Sequence, residues 1–104
     1  MEKSCPIEKI IKVLGKKWNM LILKHLNGDN HSRRFNVLHK ELFSISSRTL
    51  SKRLDELEEA GLVKREKFNE TPPRVEYSLT PSGIEMIKCF KPLIKWAEKF
   101  GDTI

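Results

Sequence analysis

The segment SSRTLSKRLDELEEAGL (residues 46–62) carries the clearest helix signals in the sequence. Its apolar residues recur at the spacing of an amphipathic helix: Leu50, Leu54 and Leu57. Ser46 is a good N-cap, and Gly61 suits the left-handed residue that closes a helix. The sequence therefore predicts a helix that starts at Ser46 and ends just before Gly61.

The charges of this helix are unevenly distributed, with the cations in the first half and the acids in the second. The helix dipole prefers the reverse order, so an anionic ligand at the N-terminus, such as a phosphate, would explain the pattern. Arginine also reads guanine, and serine or threonine bonds bases and phosphates. We therefore expect DNA contacts from the first half of a recognition helix: Ser46, Ser47, Arg48, Thr49, Ser51, Lys52 and Arg53.

The elements around this helix complete a recognisable order. Three shorter amphipathic helices precede it, and a strand over 75–79 with a plausible partner over 62–68 follows it. A last helix opens at Thr80-Pro81, and Pro92 inside it is expected to kink or split it near Lys91. The order predicts a mainly α protein with a small β-hairpin (α+β): a winged helix-turn-helix forming one domain over residues 1–104.

The chain is basic, since its 104 residues carry 20 Lys+Arg against 14 Asp+Glu, a formal net charge of +6. A basic surface favours an acidic partner, and double-stranded DNA is the partner that we expect. A single cation is more often a solvated surface charge. The wing and the helix entrances supply a whole set of candidate contacts: Lys64, Arg65, Lys67, Pro73, Arg74, Lys17 and Arg34.

Several functional classes are not expected. No apolar run is long enough to cross a membrane and the N-terminus lacks a secretory signal, so a cytoplasmic protein is expected. Two separated cysteines and three histidines make no metal-ligand pattern, and phosphate-binding loops and nucleophile elbows are missing. We expect no enzyme, no cofactor and no metal. The alternative is a winged helix used as a protein–protein adaptor, which would need no basic wing.

Three segments carry a family resemblance: Cys5-Pro6, Gly15-Lys16-Lys17-Trp18 and the wing segment PPRVEYSLT over residues 72–80. Together they resemble HxlR-type transcriptional regulators, within the MarR-like superfamily. Lys16 stands where a second glycine is common in that family. The resemblance implies a small winged-helix homodimer that binds operator DNA as a repressor or activator, and that dimerises through its N- and C-terminal helices.

The last helix independently favours a homodimer, because it has more apolar surface than one core face needs. The alternative is that both faces pack inside one small core. The expected interface residues come from the first and last helices: Ile7, Ile10, Ile11, Met86, Cys89, Phe90, Leu93, Trp96 and Phe100. A two-fold axis would predict a pseudo-palindromic operator with half-sites about 10 base pairs apart.

Cys5 is a candidate thiol sensor. It precedes a helix start, with Lys3 and Lys9 nearby, and both features favour a reactive thiolate. The resemblance implies that an oxidant or small electrophile is the signal in some members, while an unreactive N-terminal residue remains the equal alternative. Cys89 lies at an apolar helix position and is expected to pack as a small buried hydrophobe.

Overall fold

The elements follow one another as helix, helix, strand, helix, helix, strand, strand, helix in a computed structural model that describes residues 6–28 and 31–103. The elements are α1 (Pro6–Leu14), α2 (Asn19–Leu26), β1 (Ser32–Arg34), α3 (Phe35–Glu41), α4 (Ser47–Glu59), β2 (Val63–Phe68), β3 (Arg74–Leu79) and α5 (Pro81–Phe100). A short 3₁₀ turn follows over Gly101–Thr103. The predicted α+β winged helix-turn-helix is confirmed.

Helix α4 begins and ends where the sequence predicts, and α5 begins where the sequence predicts. The Ser46 hydroxyl accepts a hydrogen bond from the Thr49 amide at 3.1 Å, and Gly61 has a left-handed φ of 81°. At the start of α5, the Thr80 hydroxyl accepts from the Gly83 amide at 3.0 Å. These caps fix the bounds of α4 and the start of α5.

The sheet has three antiparallel strands in the order β1-β3-β2. The predicted hairpin is confirmed, and its register pairs Val63 with Leu79 and Phe68 with Arg74. Strand β1 was not expected. It pairs Ser32 with Ser78 and adds a third strand beside the start of α3.

The core is built around α2, whose inward residues Ile22, Leu23 and Leu26 are fully buried. The predicted leucine stripe of α4 packs on them, and it is also fully buried. The remaining core residues come from α3, the sheet and the first half of α5: Leu38, Leu42, Ile45, Leu62, Val63, Tyr77, Leu79, Ile87 and Phe90. This packing holds the leucine stripe of α4 inward and leaves its polar face outside.

Helix α5 continues through Pro92. Of the two outcomes expected there, a kink or a split near Lys91, the split is therefore wrong. Proline removes the bond to the carbonyl four residues earlier, which belongs to Lys88. Lys88 is exposed, so water is available to that carbonyl. No helix within residues 6–28 and 31–103 is long and apolar enough to cross a membrane.

Candidate nucleic-acid interface

The first half of α4 presents a polar, cationic face to solvent. Ser47, Arg48, Ser51 and Lys52 are exposed, while the leucine stripe points into the core. Ser46 and Thr49 cap the helix, since their hydroxyls are 2.9 Å apart and Ser46 also holds the Thr49 amide. The cap fixes the position from which the exposed side chains project.

Arg53 departs from the expected pattern. Its Nη1 donates to Glu56 Oε1 at 2.8 Å, and its side chain is only 20% exposed. Arg53 is thus held within the protein, so Arg48 and Lys52 are the cations of this half-helix that form no ion pair with a described residue.

Helices α3 and α4 form the helix-turn-helix, and β2, β3 and the loop between them form the wing. A groove of about 570 Å³ lies between these two parts. Its walls come from α3, α4 and both strands of the wing, and its lining residues are Arg34, Phe35, Asn36, Val37, Ser51, Arg65, Glu70, Pro72, Pro73, Arg74, Val75 and Tyr77. The groove therefore brings together one recognition-helix residue and four of the predicted wing and flank residues: Ser51, Arg34, Arg65, Pro73 and Arg74.

Tyr77 lies between this groove and the core. It is 4% exposed, and burial raises the pKa of its phenol, while the nearby charge of Arg65 acts in the opposite direction. The phenol is therefore neutral at physiological pH. The Tyr77 side chain therefore forms an uncharged part of the groove wall, which Arg65 also lines.

The wing cations fall into two groups. Lys64, Arg65 and Lys67 are exposed, and they form no ion pair with any residue that the structure describes. Arg74 instead donates to Glu76 Oε2 at 2.8 Å and to Glu70, and its guanidinium lies 4.0 Å from the centre of the Phe68 ring. The sequence pattern did not predict this difference between Arg74 and the other wing cations.

Lys17 lies in the α1–α2 turn, away from the groove, with its Nζ 5.4 Å from the centre of the Trp18 ring. The neighbouring Lys16 donates to Glu56 Oε2 at 2.7 Å, so this turn packs beside the acidic half of α4. The hydrogen bond from Lys16, helped by Arg53, holds the pKa of Glu56 below its ordinary value of 4.5. Glu56 therefore links α4 to the α1–α2 turn. Its position in a run of acidic residues did not predict this contact.

The expected interface residues occupy three environments. The side chains of Ile7 and Ile11 on α1, and of Cys89, Leu93, Trp96 and Phe100 on α5, are exposed. Ile10 and Met86 are half-buried against the core. Phe90 is only 7% exposed, which corrects its placement: it faces the core of its own chain because it shares a helix face with Ile87.

Of the two cysteines, Cys89 lies within the described residues. Cys89 is exposed, with its Sγ 3.6 Å from the Glu85 carbonyl oxygen, so the prediction of a buried hydrophobe is wrong. Cys5 lies outside the described residues. Within the described ranges, no three His, Cys, Asp or Glu side chains cluster as a metal site would require.

Comparison with known proteins identifies the family. The model of the HxlR-like helix-turn-helix family matches residues 13–104. The chain belongs to this family. HxlR-like proteins and the relatives of this chain are transcriptional regulators and not enzymes, and DNA binding is implied by their helix-turn-helix.

Individual relatives agree with this assignment. The chain is 42% identical over 101 residues to the uncharacterized HTH-type transcriptional regulator YvaP of Bacillus subtilis, covering 96% of this chain and 92% of YvaP. The structure of the reduced form of the transcriptional regulator YodB from B. subtilis superimposes with a TM-score of 0.82 at 35% identity, covering 94% and 95% of the two chains. The redox regulator HypR in its reduced form gives 0.84 at 34% identity, covering 95% and 96%.

Proposed function

We propose that this HxlR-like regulator binds a specific DNA operator as a homodimer, with the first half of α4 in the major groove and the wing along the adjacent backbone. The observation that carries the proposal is the set of exposed cations on the first half of α4 and on the wing. Arg48, Lys52, Arg65 and Lys67 form no ion pair with a described residue. Phosphates would supply the missing partners.

Charge segregation along α4 supports the direction of approach. Arg48 and Lys52 are free near the N-terminus, whereas Glu56 is bound by Lys16 and Arg53 farther along. Arg48 and Glu56 are eight residues apart, or about 12 Å along the helix. A duplex that approached the N-terminal half would meet cations and free amides and would avoid the acids.

The apolar half of α5 supports a second copy of the chain as the partner. All residues over 91–100 are exposed, and Trp96 and Phe100 lie with their ring centres 5.7 Å apart. About 15 Å of amphipathic helix therefore projects without core contacts. Pairing with the same helix of a second copy would bury these rings, and a two-fold axis would favour a pseudo-palindromic operator.

An adaptor that binds only proteins would not need the exposed cations of α4 or of the wing to contact phosphates. The salt dependence of DNA affinity therefore separates the two functions. Each phosphate contact contributes about 0.9 to the slope of log affinity against log salt. Lys52→Gln and Arg65→Gln should each reduce this slope by about 0.9 on any duplex. Lys24→Gln, which removes an exposed charge from α2, is the matched control and should leave the slope unchanged. A slope near zero for the unmodified protein would overturn DNA binding.

We further propose that Cys5 makes DNA binding responsive to oxidants or electrophiles. Support comes from its position before a helix start and from the similarity to the redox regulator HypR. A thiol oxidant should release the unmodified protein from its operator, and Cys5→Ser protein should resist. Cys89→Ser is the control, since Cys89 is the second thiol of the chain. A full response in Cys5→Ser protein would refute a sensor at this position.

A further inference from the structure

Glu76 lies in the middle of β3, the central strand of the sheet, on the face opposite the buried Tyr77. Its Oε2 accepts a hydrogen bond from Arg74 Nε at 2.8 Å, and Arg34 Nε lies 3.8 Å from the same oxygen. Its Oε1 accepts from Ser32 Oγ at 3.3 Å. One carboxylate therefore connects the wing to β1 and, through Arg34, to the start of α3.

Arg74 is fixed from three sides. Glu76 holds Nε, the wing-tip Glu70 accepts from Nη1, and the ring of Phe68 lies under the guanidinium. Such a side chain has already lost most of its rotamer freedom, so ordering it on DNA costs little more entropy. Its remaining donors point in a direction that the wing sets in advance.

The same contacts reduce the attraction of Arg74 for an arbitrary phosphate, and to a smaller degree that of Arg34, whose side chain is 59% exposed. A phosphate that approaches either arginine competes with a carboxylate that is already in place. Arg65 and Lys67 have no such competitor among the described residues. The interface thus contains free cations, which attract any duplex, and restrained cations, which respond to the geometry of the duplex.

We propose that Glu76 is a positioning residue for DNA recognition: it sets the geometry of Arg34 and Arg74 and limits their binding to non-cognate DNA. This inference rests on the proposed DNA-binding function. It makes a distinctive prediction, because removal of the carboxylate should strengthen binding to random DNA. A residue needed only for folding would weaken all binding when changed.

The test compares Glu76→Gln with Glu66→Gln on two duplexes, the sequence best selected by the unmodified protein and a scrambled version of it. Glu66 is the matched control, because it is the register partner of Glu76 on the same sheet face and forms no ion pair with a described residue. Both changes add one unit to the net charge. Thermal unfolding of each variant verifies that it is folded.

Glu76→Gln should bind the scrambled duplex about fivefold more tightly than Glu66→Gln does, with a salt slope larger by about 0.9 for each arginine that gains a phosphate. Its preference for the selected duplex should fall by at least the same factor. Glu70→Gln, at an exposed position, frees one side of Arg74 and should give a smaller change in the same direction, which keeps the proposal testable if Glu76→Gln unfolds.

Equal effects of Glu76→Gln and Glu66→Gln would overturn the proposal, because net charge alone would then explain them. Weaker binding of Glu76→Gln to both duplexes would also overturn it. If the unmodified protein prefers neither duplex, the proposed DNA-binding function itself fails. The two failures are therefore distinguishable in one experiment.

Discussion

Lys16 donates a hydrogen bond to Glu56 at 2.7 Å, and this contact ties the α1–α2 turn to the recognition helix. Glu56 also accepts from Arg53 at 2.8 Å. The orientation of α4 is thus fixed both by its leucine stripe and by a carboxylate on its flank. This relationship has consequences for stability that are separate from DNA binding.

Glu56→Gln should lower the free energy of unfolding by about 1 kcal/mol, because partly exposed ion pairs contribute about 0.2–1 kcal/mol and two cations lose their partner here. Urea unfolding monitored by circular dichroism measures the change. Glu59→Gln is the control, because Glu59 is exposed on the same helix without an ion pair to a described residue. Equal destabilisation by both variants would contradict the role of the Lys16 contact.

The stabilisation by Glu56 should disappear in acid. Its pKa is lowered in the folded state, chiefly by the hydrogen bond from Lys16, so the unfolded chain binds the proton more readily. The contribution is complete above the ordinary pKa of 4.5 and is lost as pH falls through the lower pKa of the folded state. Urea midpoints of the unmodified protein and Glu56→Gln should therefore begin to approach each other below about pH 4.5 and continue to do so as pH falls through the lower pKa of the folded state. A gap that persists unchanged at pH 3 would be inconsistent with this account.

Arg48→Ala should reduce discrimination between the operator and random DNA, because an exposed arginine near the start of α4 is placed to read a base edge. We expect a loss of about 1–3 kcal/mol on the operator and a smaller loss on random DNA. Lys67→Ala, which removes an exposed wing cation without an ion pair to a described residue, should weaken binding to both duplexes nearly equally, as expected for a phosphate contact. Electrophoretic or anisotropy titrations measure both, and the reverse pattern would exchange the roles of helix and wing.

Trp96→Glu combined with Leu93→Glu should give a monomer, since both side chains are about half exposed in the protomer and would be buried between two copies. Light scattering measures the mass. Ser82→Glu adds a carboxylate to the first turn of the same helix and should leave the dimer intact. A double variant that keeps the dimeric mass would place the interface elsewhere.

The sequence was sufficient wherever a local signal determines the local structure. Ser46, Gly61 and Thr80 each act through neighbours within a few residues, so their capping roles were predictable. Strand β1 was not predictable, because its three residues have no alternation and acquire their partner from β3, about 44 residues away. Its first residue, Ser32, faces Glu76 only after that pairing.

The same distinction between local signals and tertiary contacts applies to the residues of the candidate interface. That Arg48 and Lys52 lie off the leucine stripe follows from helical spacing alone. The pairing of Arg34 with Glu76 is a tertiary contact, so it had no sequence signal. Arg53 and Glu56 are three residues apart on α4, so helical spacing could have indicated that this arginine is held. The left-handed conformation of Trp18, with a φ of 85°, was equally unexpected, because tryptophan rarely adopts it.

The most direct test of sequence-specific DNA binding is a fluorescence anisotropy titration of reduced protein against the duplex that it selects best from a random-sequence pool, beside a scrambled duplex of equal length. At one physiological salt concentration, we predict binding to the selected duplex that is at least about a thousandfold tighter than to the scramble. Equal, weak binding to the two duplexes would contradict the proposal that this protein reads a DNA sequence.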